Sequence, residues 1–132
     1  MDGDSTGIAL DSSGNVYASD PVNSQIDKFY SNGTFITAIN TIIPKTDIHG
    51  NLLYTCKPSG IAFDSLDNIY VTNPDNHSIE KFDSTGIYIS SICAPTSMPI
   101  QGIAVDSFGN VFVADFPNGW VYKFDASGNS LN

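Results

Sequence analysis

Short apolar runs alternate along the chain with clusters of Gly, Asn, Asp, Ser and Pro, and the alternation repeats at long range. Three segments align without gaps over 27 residues: Gly7-Ile8-Ala9-Leu10-Asp11 through Gly33, Gly60-Ile61-Ala62-Phe63-Asp64 through Gly86, and Gly102-Ile103-Ala104-Val105-Asp106 through Gly128. Their starts lie 53 and 42 residues apart. A fixed unit of this length signals a repeat architecture, in which each unit buries its apolar faces against its neighbours.

Each unit reads as four short strands. Strand a is Gly-Ile-Ala-x-Asp, and strand b is Asn-(Val/Ile)-(Tyr/Phe) with its extension, as at Asn15-Val16-Tyr17, Asn68-Ile69-Tyr70 and Asn110-Val111-Phe112. The tight turn between them has Gly14, Asp67 or Gly109 where a left-handed backbone is expected; glycine takes that conformation freely and Asp at some cost. Strand c is (Ile/Val)-x-Lys-Phe, after turns built on Pro21-Val22-Asn23, Pro74-Asp75-Asn76 and Pro117-Asn118-Gly119. Strand d follows Gly33 as 34–39 and Gly86 as 87–92. Strands a and b carry apolar residues on both faces, so both faces must be covered. Stacked four-stranded units satisfy that as the blades of a β-propeller, and the fold class expected is all-β.

The pattern Gly-Ile-Ala-x-Asp, Asn-(Val/Ile)-(Tyr/Phe), Asn-x-x-(Ile/Val)-x-Lys-Phe, Gly resembles the NHL repeat, in three copies. The resemblance implies four-stranded propeller blades and, for a full ring, six of them. Some NHL-like propellers are zinc lyases built on about three histidines around the channel, whereas this chain has only His49 and His77. Family members often place Arg before the Ile of strand c; here Gln25, Ser78 and Trp120 stand there. The RNA-binding role of some animal members, whose binding face is basic, is therefore not expected. Trp120 is either a surface aromatic for contacts or packed between blades.

Blade 1 is expected at about 7–39, a long connecting loop at 40–57, blade 2 at 58–93, and blade 3 at 100–132 with its outer strand truncated. Three blades do not close a ring of about 4–8. Their open end faces would be covered by the rest of a longer chain or by a second copy, since three blades of ~60° span half a circle and a two-fold axis completes it.

Charge narrows the partners. Fourteen acids face five lysines and no arginine, a net −9, which opposes nucleic acid and anionic membranes. No apolar run reaches the length of a membrane helix, and the first residues lack a signal-peptide pattern, so the expectation is a cytoplasmic protein or a piece of a longer secreted or cell-surface one. Thirteen of the fourteen acids are Asp, with Glu80 the exception; most are expected to organise turns, with calcium binding by a few as the alternative. Cys56 and Cys93 form no zinc spacing and are expected as buried free thiols, or else as one disulfide. Asn32-Gly33-Thr34 and Asn76-His77-Ser78 match the glycosylation sequon within turns that are Asn-rich in any case.

Strand directions place the b–c turns and d–a connections on one face of the ring. The d–a connection before Gly60 is 11 residues longer than that before Gly102, and 48–54 suggest a small hairpin with a Gly-Asn turn. His49 in this loop, Asp20, Asn73 and Asp115 at the ends of strand b, and Asn23, Asn76 and Asn118 in the turns form the candidate ligand face. Their alternative role is to bond their own turns. His77 is read as a turn residue. No nucleophile elbow, phosphate loop or Cys–His dyad is present. The function expected is a non-enzymatic module presenting this face to a protein, peptide or glycan. The alternatives are a fragment of a metal-dependent propeller lyase or lactonase, and a purely structural half-propeller.

Overall fold

A computed structural model of the chain describes residues 7–50, 52, 54–95, 100–115 and 117–131. Blade 1 is an antiparallel meander of β1 (Ile8–Leu10), β2 (Val16–Asp20), β3 (Gln25–Phe29) and β4 (Phe35–Asn40). Two short strands, β5 (Ile42–Ile43) and β6 (Tyr54–Thr55), follow as a separate pair. Blade 2 repeats the meander with β7 (Ile61–Phe63), β8 (Ile69–Asn73), β9 (Ser78–Phe82) and β10 (Tyr88–Cys93). Blade 3 has β11 (Ile103–Val105), β12 (Val111–Asp115) and β13 (Trp120–Phe124). Among the described residues, its fourth position holds a bridge from Phe124 to Ser130, with the Leu131 N–H donating to the Lys123 carbonyl at 2.8 Å. No helix among the described residues is long and apolar enough to cross a membrane.

The acids build the turns that the repeat requires. Asp11 Oδ1 accepts from the N–H groups of Ser13 (3.0 Å) and Asn15 (2.9 Å), and Oδ2 from the Asn15 side chain (3.0 Å). Asp64 and Asp106 repeat the arrangement with Asn68 and Asn110. Gly14, Asp67 and Gly109 have φ of 82°, 61° and 84°, as the turn predicts. Asp67 has a further role: it accepts from the Ser12 N–H and hydroxyl, tying the a–b turns of blades 1 and 2 together. Asp83 and Asp125 organise the c–d turns before Gly86 and Gly128 in the same way.

These turn carboxylates set an acid limit. Hydrogen bonds from Thr85 and Ile87 hold Asp83 below the ordinary value of 3.8; those from Asn110 do so for Asp106, and those from Asn129 and Ser127 for Asp125. A carboxylate depressed on folding contributes stability that is complete above its unfolded value, about 4, and is lost as pH falls through the lower folded value. The urea midpoint is expected to stay level from neutrality down to about pH 5 and then fall, with a shallower fall in Asp106→Asn. Protonation also relieves repulsion within the −9 chain, which works in the opposite direction. A midpoint that rose in acid would show that this repulsion outweighs the turns.

Lys and Phe recur in strand c for separate reasons. The Lys lies directly across from the strand-b aromatic, so Lys28, Lys81 and Lys123 sit 5.3, 5.1 and 5.3 Å from the rings of Tyr17, Tyr70 and Phe112. The Phe turns to the other face, where Phe82 and Phe124 are buried between blades.

Core lies between sheets. Tyr17, Ile26 and Ile39 of blade 1 meet Ile61, Ile69, Val71 and Phe82 of blade 2, while Tyr70 and Ile79 meet Val111, Val113 and Phe124 of blade 3. Every residue of β8 is therefore buried, whereas β2 and β12 alternate in opposite phase. A hydrogen-bond relay crosses each joint near the inner strands. The Gly7 N–H donates to Ser19 Oγ (2.7 Å), which donates to the Ser59 carbonyl (2.7 Å). Gly60, Thr72 and the Gln101 carbonyl repeat it at 2.8 and 2.8 Å.

Two expectations are corrected. The 40–57 segment is not irregular throughout, and the hairpin expected at 48–54 includes Asn51 and Leu53, which lie outside the described residues. Its paired arms are β5 and β6, farther apart, with a turn at Asp47–Gly50. Burial decides this, because Ile43 and Cys56 enter the core between blades 1 and 2, and the Thr41 hydroxyl lies within hydrogen-bond reach of the carbonyls of Cys56 (2.7 Å) and Ser24 (2.8 Å), with one proton to give to either. The cysteines also differ from expectation. Both are free and Cys56 is buried, but Cys93 is exposed because it ends the outer strand of its blade.

Candidate functional site

The β5–β6 insertion leans over the b–c turn of blade 2. That turn is a 3-10 helix, Pro74–Asn76, closed by His77 in the left-handed region at φ 51°. Ser24 and Gly119 hold the same place in the other blades at φ 54° and 68°. Asn76 joins insertion and turn: its Oδ1 accepts from the Ile48 N–H at 2.9 Å, and its Nδ2 donates to Tyr54 Oη at 3.0 Å and Ser78 Oγ at 3.2 Å. Between them lies a cleft of about 680 Å³, lined by Asp47, His49, Leu52, Tyr54, Thr55, Lys57, Asn73, Asp75 and Asn76.

Beneath this cleft is a residue that sequence reasoning passed over. Glu80 is fully buried. Its Oε1 accepts from Ser78 Oγ (2.6 Å), Tyr54 Oη (3.4 Å) and Asn73 Nδ2 (3.5 Å), and its Oε2 from Ser91 Oγ, which also meets Tyr88 Oη at 2.8 Å. The carboxylate is thus held by three hydroxyls and an amide drawn from β6, β8, β9 and β10. Asp27 and Tyr122 hold the same place in strand c of the other blades. That contrast, together with Glu80 being the sole Glu, was the available signal.

The potential here is negative. Burial first, then the Glu80 charge, pushes the Tyr54 phenol well above its ordinary value. Burial, then Glu80 and Asp75, raises the Cys56 thiol in the same sense, which leaves it a packing group and not a thiolate.

Of the seven face residues, the structure brings three together: His49, Asn73 and Asn76 line the cleft. His49 is exposed there, its N–H donating to Asp47 Oδ1 at 2.9 Å. The other four close their own turns. Asp20 accepts from the Asn23 N–H (3.1 Å) and Nδ2 (2.7 Å), and Asp115 from the Asn118 Nδ2 (2.9 Å). Their side chains do not line the cleft. Trp120 is exposed at the start of β13. Among the described residues no three His, Cys, Asp or Glu side chains are grouped to hold a metal.

The sequence model of the NHL repeat matches residues 55–82, which run from β6 through β9 of blade 2. The chain carries an NHL repeat. No curated protein matches it. Among solved structures it is similar to a streptogramin B lyase (TM-score 0.70, 18% identity, 93% of this chain and 38% of that one). It is also similar to a chain of a nidogen/laminin complex (0.68, 16%, 97% and 46%). A third likeness is to the hydrazine synthase of Kuenenia stuttgartiensis (0.69, 14%, 96% and 34%). At these identities the likeness is one of fold, and the fold is that of NHL-type propeller blades. The chain spans less than half the length of these three structures.

Proposed function

We propose that the chain is a non-enzymatic binding module whose NHL-type blades present the β5–β6 insertion and the Pro74–Asn76 turn to a protein partner, through an exposed segment or a glycan carried on it. The cleft between insertion and turn supports this reading above all. It combines an aromatic face at Tyr54, an apolar side chain at Leu52, and amide, carboxylate and ammonium groups at Asn76, Asp75 and Lys57. A few convergent polar groups around an apolar wall suit recognition of a polar chain. The nidogen/laminin neighbour is a propeller found in a protein complex, which favours the same class of role. The lyase neighbour shares the fold, and a shared fold by itself assigns no reaction. Further blades, from a second copy or a longer chain, complete the scaffold.

Titration of ¹⁵N-labelled protein with a panel of soluble oligosaccharides and a pooled heptapeptide library tests the proposal. Amide shifts for at least one probe are expected to cluster at 47–57 and 73–76, and to diminish at least tenfold in affinity in Tyr54→Ala. Shifts that cluster elsewhere, or no shifts with any probe, would overturn it.

A further inference from the structure

Three carboxylates converge on the cleft from three elements. Asp47 stands in the turn of the insertion, where its Oδ1 accepts from the His49 N–H at 2.9 Å. Asp75 is exposed in the Pro74–Asn76 turn, and Glu80 of β9 lies beneath, held by hydroxyls and an amide instead of a cation. Their fields reach the same spot. Behind burial, which is the larger cause, Glu80 and Asp47 both raise the Tyr54 phenol, and Glu80 and Asp75 both raise the Cys56 thiol. Lys57 lines the cleft without an ion pair to Asp75, and Lys45 stands outside the lining with its ammonium 6.0 Å from the Tyr88 ring. Three carboxylates against one ammonium leave the cleft net negative, and a concave site focuses such a field.

The ring of Tyr54 is a second and independent signal. Tyr17, Tyr70 and Phe112 each carry a strand-c lysine, at 5.3, 5.1 and 5.3 Å, and Tyr88 carries Lys45. Among the described residues no lysine lies over Tyr54. Its hydroxyl is committed to Glu80 and Asn76, so the ring is what this residue offers the cleft. An aromatic face among carboxylates is the chemistry that holds an ammonium or guanidinium group.

We propose that the cleft takes a basic side chain, lysine or arginine, from an extended segment of the protein partner. This rests on the binding role proposed above and narrows it from any exposed segment or glycan to a cationic peptide. The charged head meets the Tyr54 ring between Asp47 on the insertion and Asp75 on the turn, and the methylene stem packs on Leu52, which is 75% exposed in the single chain. A neutral sugar would leave the converging charge unanswered, and an acidic segment would be repelled.

The test is titration of ¹⁵N-labelled protein at low salt with the heptapeptide library divided into basic, neutral and acidic pools. The basic pool is expected to shift 47–57 and 73–76 at no more than about a tenth of the concentration the neutral pool needs, and added salt to narrow that gap. For the tightest basic peptide, Asp75→Asn is expected to weaken binding about three- to tenfold, the effect of one charge at close range beside water, and Lys57→Gln to strengthen it by a similar factor. Asp75 is exposed and accepts no hydrogen bond among the described residues, so the urea midpoint of Asp75→Asn should match that of the unmodified chain. Asp106→Asn makes the same change of net charge in the a–b turn of blade 3, at the other end of the strands, and is expected to leave binding unchanged. Cleft shifts as strong with the neutral pool, the acidic pool or an oligosaccharide would overturn the basic ligand while leaving the cleft as the binding site. Equal losses in Asp75→Asn and Asp106→Asn would do the same. No cleft shifts with any probe would overturn the binding role together with it.

Discussion

Gly60→Ala is expected to destabilise the chain by about 3 kcal/mol, the upper part of the range for forcing atoms into a close-packed site. The added methyl would lie 2.1 Å from the Gln101 carbonyl oxygen and 3.0 Å from Ile103 Cγ2, so backbone, not a flexible side-chain end, must give way. The same displacement stretches the relay in which the Gly60 N–H donates to Thr72 Oγ1 and that hydroxyl to Gln101. Blades 2 and 3 would separate at their inner strands, where Ile103 and Val113 pack against Tyr70 and Ile79. The measurement is urea denaturation at one fixed protein concentration, with Gly102→Ala beside it, because association raises stability by mass action. Gly102→Ala should lose less than about 1 kcal/mol in a monomer, since a helpful loss of chain entropy opposes any crowding. Equal effects of the two substitutions would show that glycine in strand a serves the blade itself and not the joint.

The repeat made much of this fold legible. Gly14 and Gly109 announced left-handed turns, and even Asp67, which breaks the glycine pattern, adopts one. Strands read from the repeat, such as those containing Tyr17 and Val111, appear where the pattern puts them. What periodicity could not convey was which residues meet across a joint, because that depends on backbone approach. Gly60 looked like any strand-opening glycine until the Gln101 carbonyl was seen against it. The insertion was misread for a similar reason. Ile43 and Cys56 flank a stretch with no regular pattern, and only their burial between two blades fixes the pairing of β5 with β6. The candidate face was legible as a face but not as a cleft. Turn position places Asp20 and Asn73 alike, yet the first closes its own turn and the second reaches Glu80.

Glu80→Ala is the substitution expected to link stability and site most directly. A carboxylate taken wholly out of water is retained only when donors surround it, and here Ser78, Ser91, Tyr54 and Asn73 do so. Truncation leaves Ser78 and Asn73, themselves buried, facing a void, and unsatisfied buried donors of this kind cost about 1–3 kcal/mol. With the lost packing of the side chain, a total near 4 kcal/mol is expected. Glu80→Gln separates charge from shape. Its carbonyl still accepts from Ser78, Tyr54 and Asn73, and its amide donates to Ser91, whose hydroxyl can turn toward Tyr88, so the loss should stay near 1 kcal/mol. Removing the charge also removes one of the causes that hold the Tyr54 phenol high. Ultraviolet titration of Glu80→Gln should therefore show one tyrosine ionising at lower pH than in the unmodified chain. Since Tyr54 bridges Glu80 and Asn76, the Ala variant should also loosen the insertion, and hydrogen exchange at Ile48, whose N–H is held by Asn76, should quicken while that of β12 does not. A Glu80→Ala protein as stable as the original, with Ile48 still protected, would mean that the insertion is held by Ile43 and Cys56 alone and that the cleft owes nothing to the buried carboxylate.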